Sequence, residues 1–249
     1  MKPIDRPKEL KRYYQNRSVA DTYMKRRTAQ PLNGVVHRRQ IAFLNRIIGQ
    51  RMPRRVLEIA CGPGRLTAAV RGLQRGVAVD SSIAMLETAQ QRMNGAGSCW
   101  SFLRTDAFVL PFQSGAFDAV YMLRFVRHFQ LADRQRLYAE IQRVLCEGGV
   151  FMVDALNHAV SYPSRLKRGL ERYPIYDVLY QRAELEAELQ AAGFRVIGME
   201  GIIHHYRLQR PLNQLRRAGL DAVATAMINL LEYIPGRQPW TWMVVCEKP

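Results

Sequence analysis

A glycine-rich loop that follows a short apolar run is the first feature of the chain that could bind a ligand. Residues 56–59 indicate a buried strand, small residues follow through Gly62 and Gly64, and apolar residues then recur at helical spacing from Leu66. Because such a loop has few side chains, a ligand can approach its backbone, and a helix start behind it would offer unpaired N–H groups. Glu58, at the strand end, could accept hydrogen bonds from a ligand's amino group or from the loop.

A second carboxylate follows at the spacing of a nucleotide-binding unit. Residues 76–80 indicate another buried strand, and its last residue, Asp80, comes 22 residues after Glu58. In a parallel β-α-β unit Asp80 would lie beside the loop, where a carboxylate can bond both hydroxyls of a ribose. Asp80 could also cap the helix predicted from Ser82. The two roles are compatible, and the strand context favours ribose contact.

Alternating buried strands and amphipathic helices predict the elements that position these residues. Strands are predicted at residues 56–59, 76–80, 100–103, 116–122, 150–154, 194–199 and 242–246, with helices between them. This order predicts an α/β fold, a doubly wound, mainly parallel sheet with helices on both faces and ligands at its carboxyl edge.

The remaining segments predict additions to this sheet within one structural domain. Residues 1–50 are expected to form an N-terminal helical lid, with a break at 31–34 and a helix at 35–48, and residues 51–155 the ligand-binding core. Residues 156–180 mix basic and tyrosine side chains and predict a substrate cap after strand five. Residues 181–249 complete the sheet. They include a helical insertion at 211–234, whose apolar face is predicted to pack inward rather than to anchor the chain in a membrane, because Asp221 and Glu232 interrupt it.

Composition limits the class of protein and its partners. The 249 residues are 48% hydrophobic, and the four cysteines form no Cys-x-x-Cys pair, which indicates reduced thiols in a cytoplasmic protein without a metal site. No signal peptide or membrane-spanning run is recognised. The net charge is +16, and residues 1–60 hold fifteen Lys and Arg against four Asp and Glu. This charge would attract RNA, an anionic membrane surface or an anionic substrate, or it is simply a solvated basic face.

Five ordered motifs together resemble the class I S-adenosylmethionine (SAM)-dependent methyltransferases, in particular the small-molecule and quinone-type members. The motifs are residues 57–64 (LEIACGPG), 76–86 (GVAVDSSIAML), 106–112 (DAFVLPF), 117–129 from FDAV to HF, and 140–149 (EIQRVLCEGG). A nicotinamide-dependent enzyme would need a third loop glycine and a second nucleotide-binding half, and neither is evident.

The resemblance implies a seven-stranded, Rossmann-like sheet, SAM as cofactor and S-adenosyl-L-homocysteine as its product. It also implies a role for each matching position. Glu58 orients the loop; Ala60, Gly62 and Gly64 approach the methionine part; Asp80 and Ser81 meet the ribose; Asp106 and Ala107 meet adenine; Leu123 lies by the sulfonium; Tyr23 closes over the cofactor; and Arg27 meets its carboxylate.

Two positions depart from the family pattern. Ala60 replaces a common glycine, which is tolerable if its φ angle is negative. Arg124 stands where relatives commonly carry an apolar residue. Its guanidinium could bind a carboxylate or phosphate of the acceptor, or it could point to solvent.

Candidate catalytic residues follow from the chemistry of methyl transfer. His128 is the predicted general base, since its pKa range suits removing a proton from a phenol, enol or amine, with Tyr23 as a weaker partner. His128 could instead only pack at the strand edge. Tyr162 and Tyr176 are predicted acceptor contacts in the insertion.

The sequence thus predicts a SAM-dependent methyltransferase (EC 2.1.1) with a small, anionic or aromatic acceptor. RNA- or protein-directed methylation, lipid or quinone methylation at a membrane surface, and SAM binding without catalysis stay as alternatives. The protein would then be cytoplasmic, with peripheral membrane contact in the lipid case. The acceptor and the oligomeric state stay open.

Overall fold

The structure is a computed structural model that describes residues 7–93, 99–236 and 238–249. Nine α-helices are described within these ranges: α1 Pro7–Gln15, α2 Arg17–Thr28, α3 Pro31–Arg51, α4 Ile83–Met93, α5 Leu131–Val144, α6 His158–Leu166, α7 Arg182–Ala191, α8 Tyr206–Gln209 and α9 Asp221–Leu231. The strands are β1 Arg55–Ile59, β2 Arg75–Asp80, β3 Trp100–Arg104, β4 Phe117–Met122, β5 Leu145–Asn157, β6 Leu179–Tyr180, β7 Arg195–Ile202 and β8 Thr241–Glu247.

The strands form a single sheet in the order β3-β2-β1-β4-β5-β8-β7, and the two-residue strand β6 pairs with the end of β5. The first five strands are parallel, whereas β8 runs antiparallel between β5 and β7. The predicted doubly wound, mostly parallel, seven-stranded sheet is therefore confirmed, with β6 as an unpredicted eighth strand. Ile59 pairs with Val79, so the ends of β1 and β2 bring Asp80 to the carboxyl edge.

Helices cover both faces because side chains alternate along each strand. Leu57 points into a core that contains Leu137 of α5 and Leu189 of α7. Its neighbour Val56 points into the opposite core, which contains Ile48 of α3 and Ile228 of α9.

The predicted helix after the glycine-rich loop is wrong. Residues 62–69 form consecutive turns, and the Ala68 N–H and Val70 N–H make isolated i→i−4 bonds to the Gly64 and Leu66 carbonyls. Gly64 and Gly72, which bound this segment, both have positive φ angles that a right-handed helix does not use. The loop therefore presents turn backbone to a ligand rather than a helix N-terminus.

Two boundaries also differ from the prediction. Helix α3 begins at Pro31 instead of after a break, because proline is favourable at the first helical position, and it continues past Gly49 to Arg51. Strand β5 begins at Leu145 rather than at residue 150, since α5 already ends at Val144.

The predicted inward packing of the 211–234 insertion is only half right. In α9 only Ala224 and Ile228 are buried, whereas Val223, Met227 and Leu230 are exposed. Glu232 does not interrupt this exposed face, since its carboxylate is buried beside His204 and Gln209. Among the described helices, none combines the length and the hydropathy needed to cross a bilayer.

Candidate active site

A cavity of about 270 Å³ opens at the carboxyl edge of the sheet, where the strand ends and the N-terminal helices meet. Helices α1 and α2 supply one wall, and the residues after β1, β2, β3 and β4 supply the others. The lining residues are Lys8, Leu10, Lys11, Tyr14, Tyr23, Ala60, Gly62, Val79, Asp80, Ser81, Met85, Thr105, Asp106, Ala107, Phe108, Leu123, Arg124, Phe125, His128 and Phe129. The structure therefore brings most of the predicted site residues together.

A smaller recess adjoins this cavity and contains Glu58. The two share Tyr23, Ala60 and Gly62, together with Leu123 and Arg124. Loop, cofactor and acceptor candidates thus belong to one continuous site.

Glu58 is fully buried below the loop. Its Oε2 accepts hydrogen bonds from the Thr67 hydroxyl at 2.6 Å and the Tyr121 hydroxyl at 2.8 Å. Burial raises the pKa of Glu58 to about 7, although both hydrogen bonds and the charge of Arg65 act in the opposite direction. A positively charged ligand in the recess would stabilise the ionised carboxylate.

Asp80 organises the loop from the neighbouring strand. Its Oδ2 accepts from the Gly62 N–H at 2.9 Å, and its Oδ1 accepts from the Ser82 N–H at 2.9 Å. Burial raises the pKa of Asp80 against these hydrogen bonds. Each carboxylate oxygen keeps a second lone pair, so Asp80 can bind the loop, begin α4 and accept from a ligand's hydroxyl.

Asp106 is tied to the N-terminal helix. Its Oδ2 lies 3.0 Å from the Lys11 ammonium, and its Oδ1 accepts from the Phe108 N–H. This ion pair is half-exposed, so it contributes little stability. Lys11 therefore competes with any ligand amino group for the same carboxylate.

Ala60 has a backbone conformation that favours glycine over alanine. Its φ angle is +55°, in the left-handed region, where a methyl group is strained. The condition of a negative φ angle is not met, because the chain must turn sharply between β1 and the hydrogen bond from the Gly62 N–H to Asp80.

The Ala60→Gly variant is expected to be more stable than the wild type by about 0.5–1 kcal/mol. Glycine relieves the left-handed strain and gives back part of this gain through its greater freedom when unfolded. Urea unfolding measures the difference. Ala222→Gly, in the exposed part of α9, is the matched control and should lose about 1 kcal/mol. A less stable Ala60→Gly protein would contradict the assigned strain.

The two loop glycines serve different purposes. A Cβ on Gly62 would meet no atom within 4 Å, so this position leaves open space beside the cavity. A Cβ on Gly64 would lie 2.9 Å from the Ala89 Cβ, so Gly64 allows the loop to pack against α4. Gly64 is absent from the lining of both the cavity and the recess, in contrast to its predicted contact with the methionine part.

His128 is buried at the inner wall of the cavity. Its Nδ1 lies 2.9 Å from the Tyr176 carbonyl oxygen and 2.9 Å from Oδ1 of Asp177. Both partners accept hydrogen bonds, so Nδ1 carries the proton, and Nε2 of the neutral ring keeps a lone pair. This tautomer is the one that a general base requires.

Asp177 is a site residue that the sequence analysis missed. Besides His128, its carboxylate lies 3.0 Å from the Arg127 Nε and 2.6 Å from an Arg165 nitrogen. Burial alone would raise the pKa of Asp177, but Arg127, His128 and Arg165 outweigh burial and hold that pKa well below its usual range. Asp177 is therefore an ionised carboxylate beside the His128 ring, and its charge favours the proton on Nδ1, whose hydrogen bond is made to the Tyr176 carbonyl.

Arg124 lines both the cavity and the recess and does not simply point to solvent. Its φ angle is +64°, and its backbone N–H donates to Oδ1 of buried Asp154. A positive φ angle is strained for a residue other than glycine, so Arg124 combines a strained backbone with a position in the lining of the site.

The remaining predicted residues separate into three groups. Tyr23 lines the cavity in an edge-on contact with Tyr14, whose ring centre is 6.4 Å away. Tyr162 is exposed and stacks on His158, and neither it nor Tyr176 lines the cavity. The side chain of Arg27 lies outside the described residues.

The predicted substrate cap does not cover the cavity, since no residue of 156–180 lines it. This segment acts from behind, through the Tyr176 carbonyl and the Asp177 carboxylate. The covering residues come instead from α1, whose Leu10 is buried in the core. The amphipathic pattern of α1 could have indicated a packed helix, but not its destination.

Across residues 7–93, 99–236 and 238–249, no three His, Cys, Asp or Glu side chains are grouped to hold an ion.

Comparison with known proteins agrees with this geometry. Residues 56–149 match the family model described as a methyltransferase domain. A demethylmenaquinone methyltransferase of Thermus thermophilus is 36% identical over 107 residues, which are 42% of this chain and 48% of that protein. The chain therefore spans about half the length of this curated relative.

Two solved structures share the fold. A chain of the Haloferax volcanii complex between the Trm112 methyltransferase activator and a putative methyltransferase superposes with a TM-score of 0.62 and 21% identity, covering 94% of this chain and 97% of that one. Haemonchus contortus phosphoethanolamine N-methyltransferase 2, bound to phosphomonomethylethanolamine and S-adenosylhomocysteine, gives 0.59 and 20%, covering 85% and 52%.

The fold and the ordered motifs define a Rossmann-like methyltransferase domain. Residues 56–149 match the methyltransferase domain family, and the described chain as a whole shares its fold with the two solved structures.

Proposed function

We propose that the chain is a SAM-dependent methyltransferase that methylates a small, anionic or aromatic acceptor. One observation carries the proposal: a single cavity joins the carboxylates of Asp80 and Asp106 to His128 and Arg124. The first pair suits a nucleoside, and the second pair suits an acceptor that must lose a proton or present a negative charge.

The residues present fit the cofactor. Asp80 would bind the ribose hydroxyls, and Asp106 would accept from the adenine amino group once Lys11 releases it. Apolar side chains, among them Val79 and Phe108, share this part of the lining. Glu58 and Asp80 are both buried carboxylates with raised pKa values, so a ligand with positive charge offsets their desolvation. When bound, SAM supplies a methyl group on a positively charged sulfur.

The chain's own residues would then align the acceptor and remove its proton. Nε2 of His128 is the proton acceptor, and Asp177 holds the ring in that tautomer. Arg124 gives this part of the cavity positive charge, while Phe125 and Phe129 offer aromatic surface.

The alternatives account for less of the site. The basic N-terminal quarter would suit an RNA-directed enzyme, but a cavity of about 270 Å³ with aromatic walls matches a small acceptor. A quinone or lipid acceptor is favoured by one observation, namely the apolar and aromatic lining. A demethylmenaquinone methyltransferase is also among the relatives.

Cofactor binding is tested by calorimetry with SAM and S-adenosylhomocysteine. The wild type should bind both, and Asp80→Asn should weaken SAM binding about 100-fold, because two charge-assisted hydrogen bonds to the ribose become weaker. Asp133→Asn, in the first turn of α5, is the matched control with unchanged affinity. Equal SAM affinity in Asp80→Asn and the wild type would overturn the ribose assignment, and no binding by the wild type would overturn the function.

Acceptor class is tested by transfer of labelled methyl from SAM. The panel contains phenolic acids, hydroxyquinones, neutral amines and a structured RNA. Transfer to the aromatic or anionic small molecules supports the proposal, whereas transfer to RNA alone would replace it with the RNA-directed alternative.

A further inference from the structure

Helix α9 is apolar over two neighbouring faces but is packed on only one of them. Ala224 and Ile228 are buried, and α9 lies against α3. On the other side Met227 is 44% exposed and Leu230 is 67% exposed. An amphipathic surface helix normally turns polar residues to solvent, so an apolar outer face indicates a further contact.

The exposed side continues beyond both ends of α9. Within α9, Val223, Met227 and Leu230 recur three or four positions apart and share one helical face. Leu220 precedes the helix, and Tyr233 and Ile234 follow it, with Tyr233 85% exposed. We define the α9 patch as Leu220, Val223, Met227, Leu230, Tyr233 and Ile234.

The charge beside the α9 patch is positive. Four exposed arginines come shortly before α9: Arg207, Arg210, Arg216 and Arg217. Within the described residues, only Arg216 of these four forms an ion pair, with Asp221 at 3.8 Å. Glu232 adds no exposed negative charge, because its side chain is only 1% exposed.

The insertion emerges at the same edge of the sheet as the candidate active site. It leaves β7 after Ile202 and returns at Thr241, and these two residues pair with each other at the carboxyl end of β7. The Asn213 Oδ1 accepts from the Leu32 N–H, and Arg216 donates to the Ala29 carbonyl, so the segment is fixed to the junction of α2 and α3. Helix α2 carries Tyr23 of the cavity lining.

We propose that the α9 patch and its four arginines dock the chain onto an anionic membrane surface. Aliphatic and aromatic side chains would enter the boundary between headgroups and acyl chains, while the guanidinium groups meet anionic headgroups. The inference concerns membrane contact alone and does not depend on methyl transfer.

The charges favour a lipid surface over a second copy of the chain. A two-fold symmetric contact would bring the same arginines of two copies together, and each copy carries a net charge of +16. RNA would use the arginines but would leave the aliphatic side chains of the patch in water. An anionic bilayer is complementary to both components.

Vesicle co-sedimentation of the full chain tests the proposal. One set of vesicles contains phosphatidylcholine alone. The other contains about 30% phosphatidylglycerol as well, which gives a negative surface potential. The wild type should bind the anionic vesicles at least about tenfold more tightly, and salt should weaken this binding. Val223→Ser/Leu230→Ser should lose about 10- to 100-fold in affinity, since each apolar group that leaves the lipid costs roughly tenfold.

Matched variants separate this contact from general effects. Arg207→Gln/Arg217→Gln should lose vesicle affinity severalfold. Arg136→Gln/Arg182→Gln removes the same charge from another part of the surface and should keep most of the vesicle affinity. Leu131→Ser, an exposed leucine on α5, controls for lost hydrophobicity. Thermal melts confirm folding, and unchanged SAM calorimetry in the patch variant separates docking from cofactor binding.

Three results would overturn the proposal. The first is a wild type that does not bind anionic vesicles, or that binds neutral and anionic vesicles equally well. The second is unchanged anionic binding by Val223→Ser/Leu230→Ser. The third is a wild-type dimer in sedimentation velocity that the same patch variant abolishes, which would assign the patch to a second copy.

Discussion

The His128→Gln variant is expected to bind SAM with unchanged affinity and to lose about 100- to 10,000-fold in kcat, the range of general base catalysis. The loss follows from the geometry of the ring. Nδ1 is engaged by Tyr176 and Asp177, and His128 lines the cavity, so Nε2 is the nitrogen left to take an acceptor's proton. Glutamine keeps a similar size and polarity but cannot take up a proton near neutral pH.

The measurement uses the acceptor identified by the methyl-transfer panel, with kcat and the KM for the acceptor determined at saturating SAM. The loss in His128→Gln should appear in kcat. His158→Gln, whose ring stacks on Tyr162 away from the cavity, is the matched control and should behave as the wild type. Wild-type kcat in His128→Gln would show that proton removal does not depend on this residue.

Asp177 acts through His128 and is therefore a positioning residue. Asp177 lies far from His128 in the sequence, so no local pattern revealed it. The two meet because the Val178 N–H donates to the Arg127 carbonyl, which holds residues 174–178 beside His128. Arg127 and Arg165 share the same carboxylate, so the base is held within a charge network rather than by one isolated partner.

The location of Asp80 and Asp106 beside the same cavity could be predicted from the sequence because it depends on strand ends. Asp80 and Asp106 follow two adjacent parallel strands, and parallel strands end at a common edge. Their position therefore needs only the strand pattern, which buried residues specify strongly. Lys11 shows the limit of this logic, since its contact with Asp106 joins residues 95 positions apart through the folding of a terminal helix.

Backbone conformation was less predictable than location. Apolar spacing after the loop is satisfied by turns as well as by a helix, provided that Leu66 and Val70 reach the core. The φ angle of Ala60 depends on the hydrogen bond from Gly62 to Asp80, which the residue type alone does not show. In α9 the periodicity identified an apolar face but could not show that nothing in the described part of the chain covers it.

The Glu58→Gln variant is expected to be about 3 kcal/mol more stable than the wild type at pH 8 but only about 1 kcal/mol more stable at pH 5. In the wild type burial raises the pKa of Glu58 from 4.5 to about 7. The folded protein thus binds more protons than the unfolded chain between these values, so stability falls as the pH rises through this window. A difference of about 2.5 pKa units corresponds to roughly 3 kcal/mol. Glutamine keeps an acceptor for Thr67 and Tyr121 but carries no charge to desolvate.

Urea unfolding between pH 5 and pH 8 measures this effect, and calorimetry with SAM measures what the charge provides. Glu171→Gln, at an exposed position, is the control and should follow the wild type at every pH. Wild-type SAM affinity should increase from pH 6 to pH 8 as Glu58 ionises, whereas Glu58→Gln should bind more weakly at pH 8 and show a flatter profile. A wild type whose stability and SAM affinity both ignore pH in this window would mean that Glu58 is not the buried, titrating carboxylate beneath the loop. Stability and SAM affinity should therefore change in opposite directions with pH. The buried charge of Glu58 lowers the free energy of unfolding, and a cationic ligand offsets this loss. That combination is expected of a residue whose role is binding.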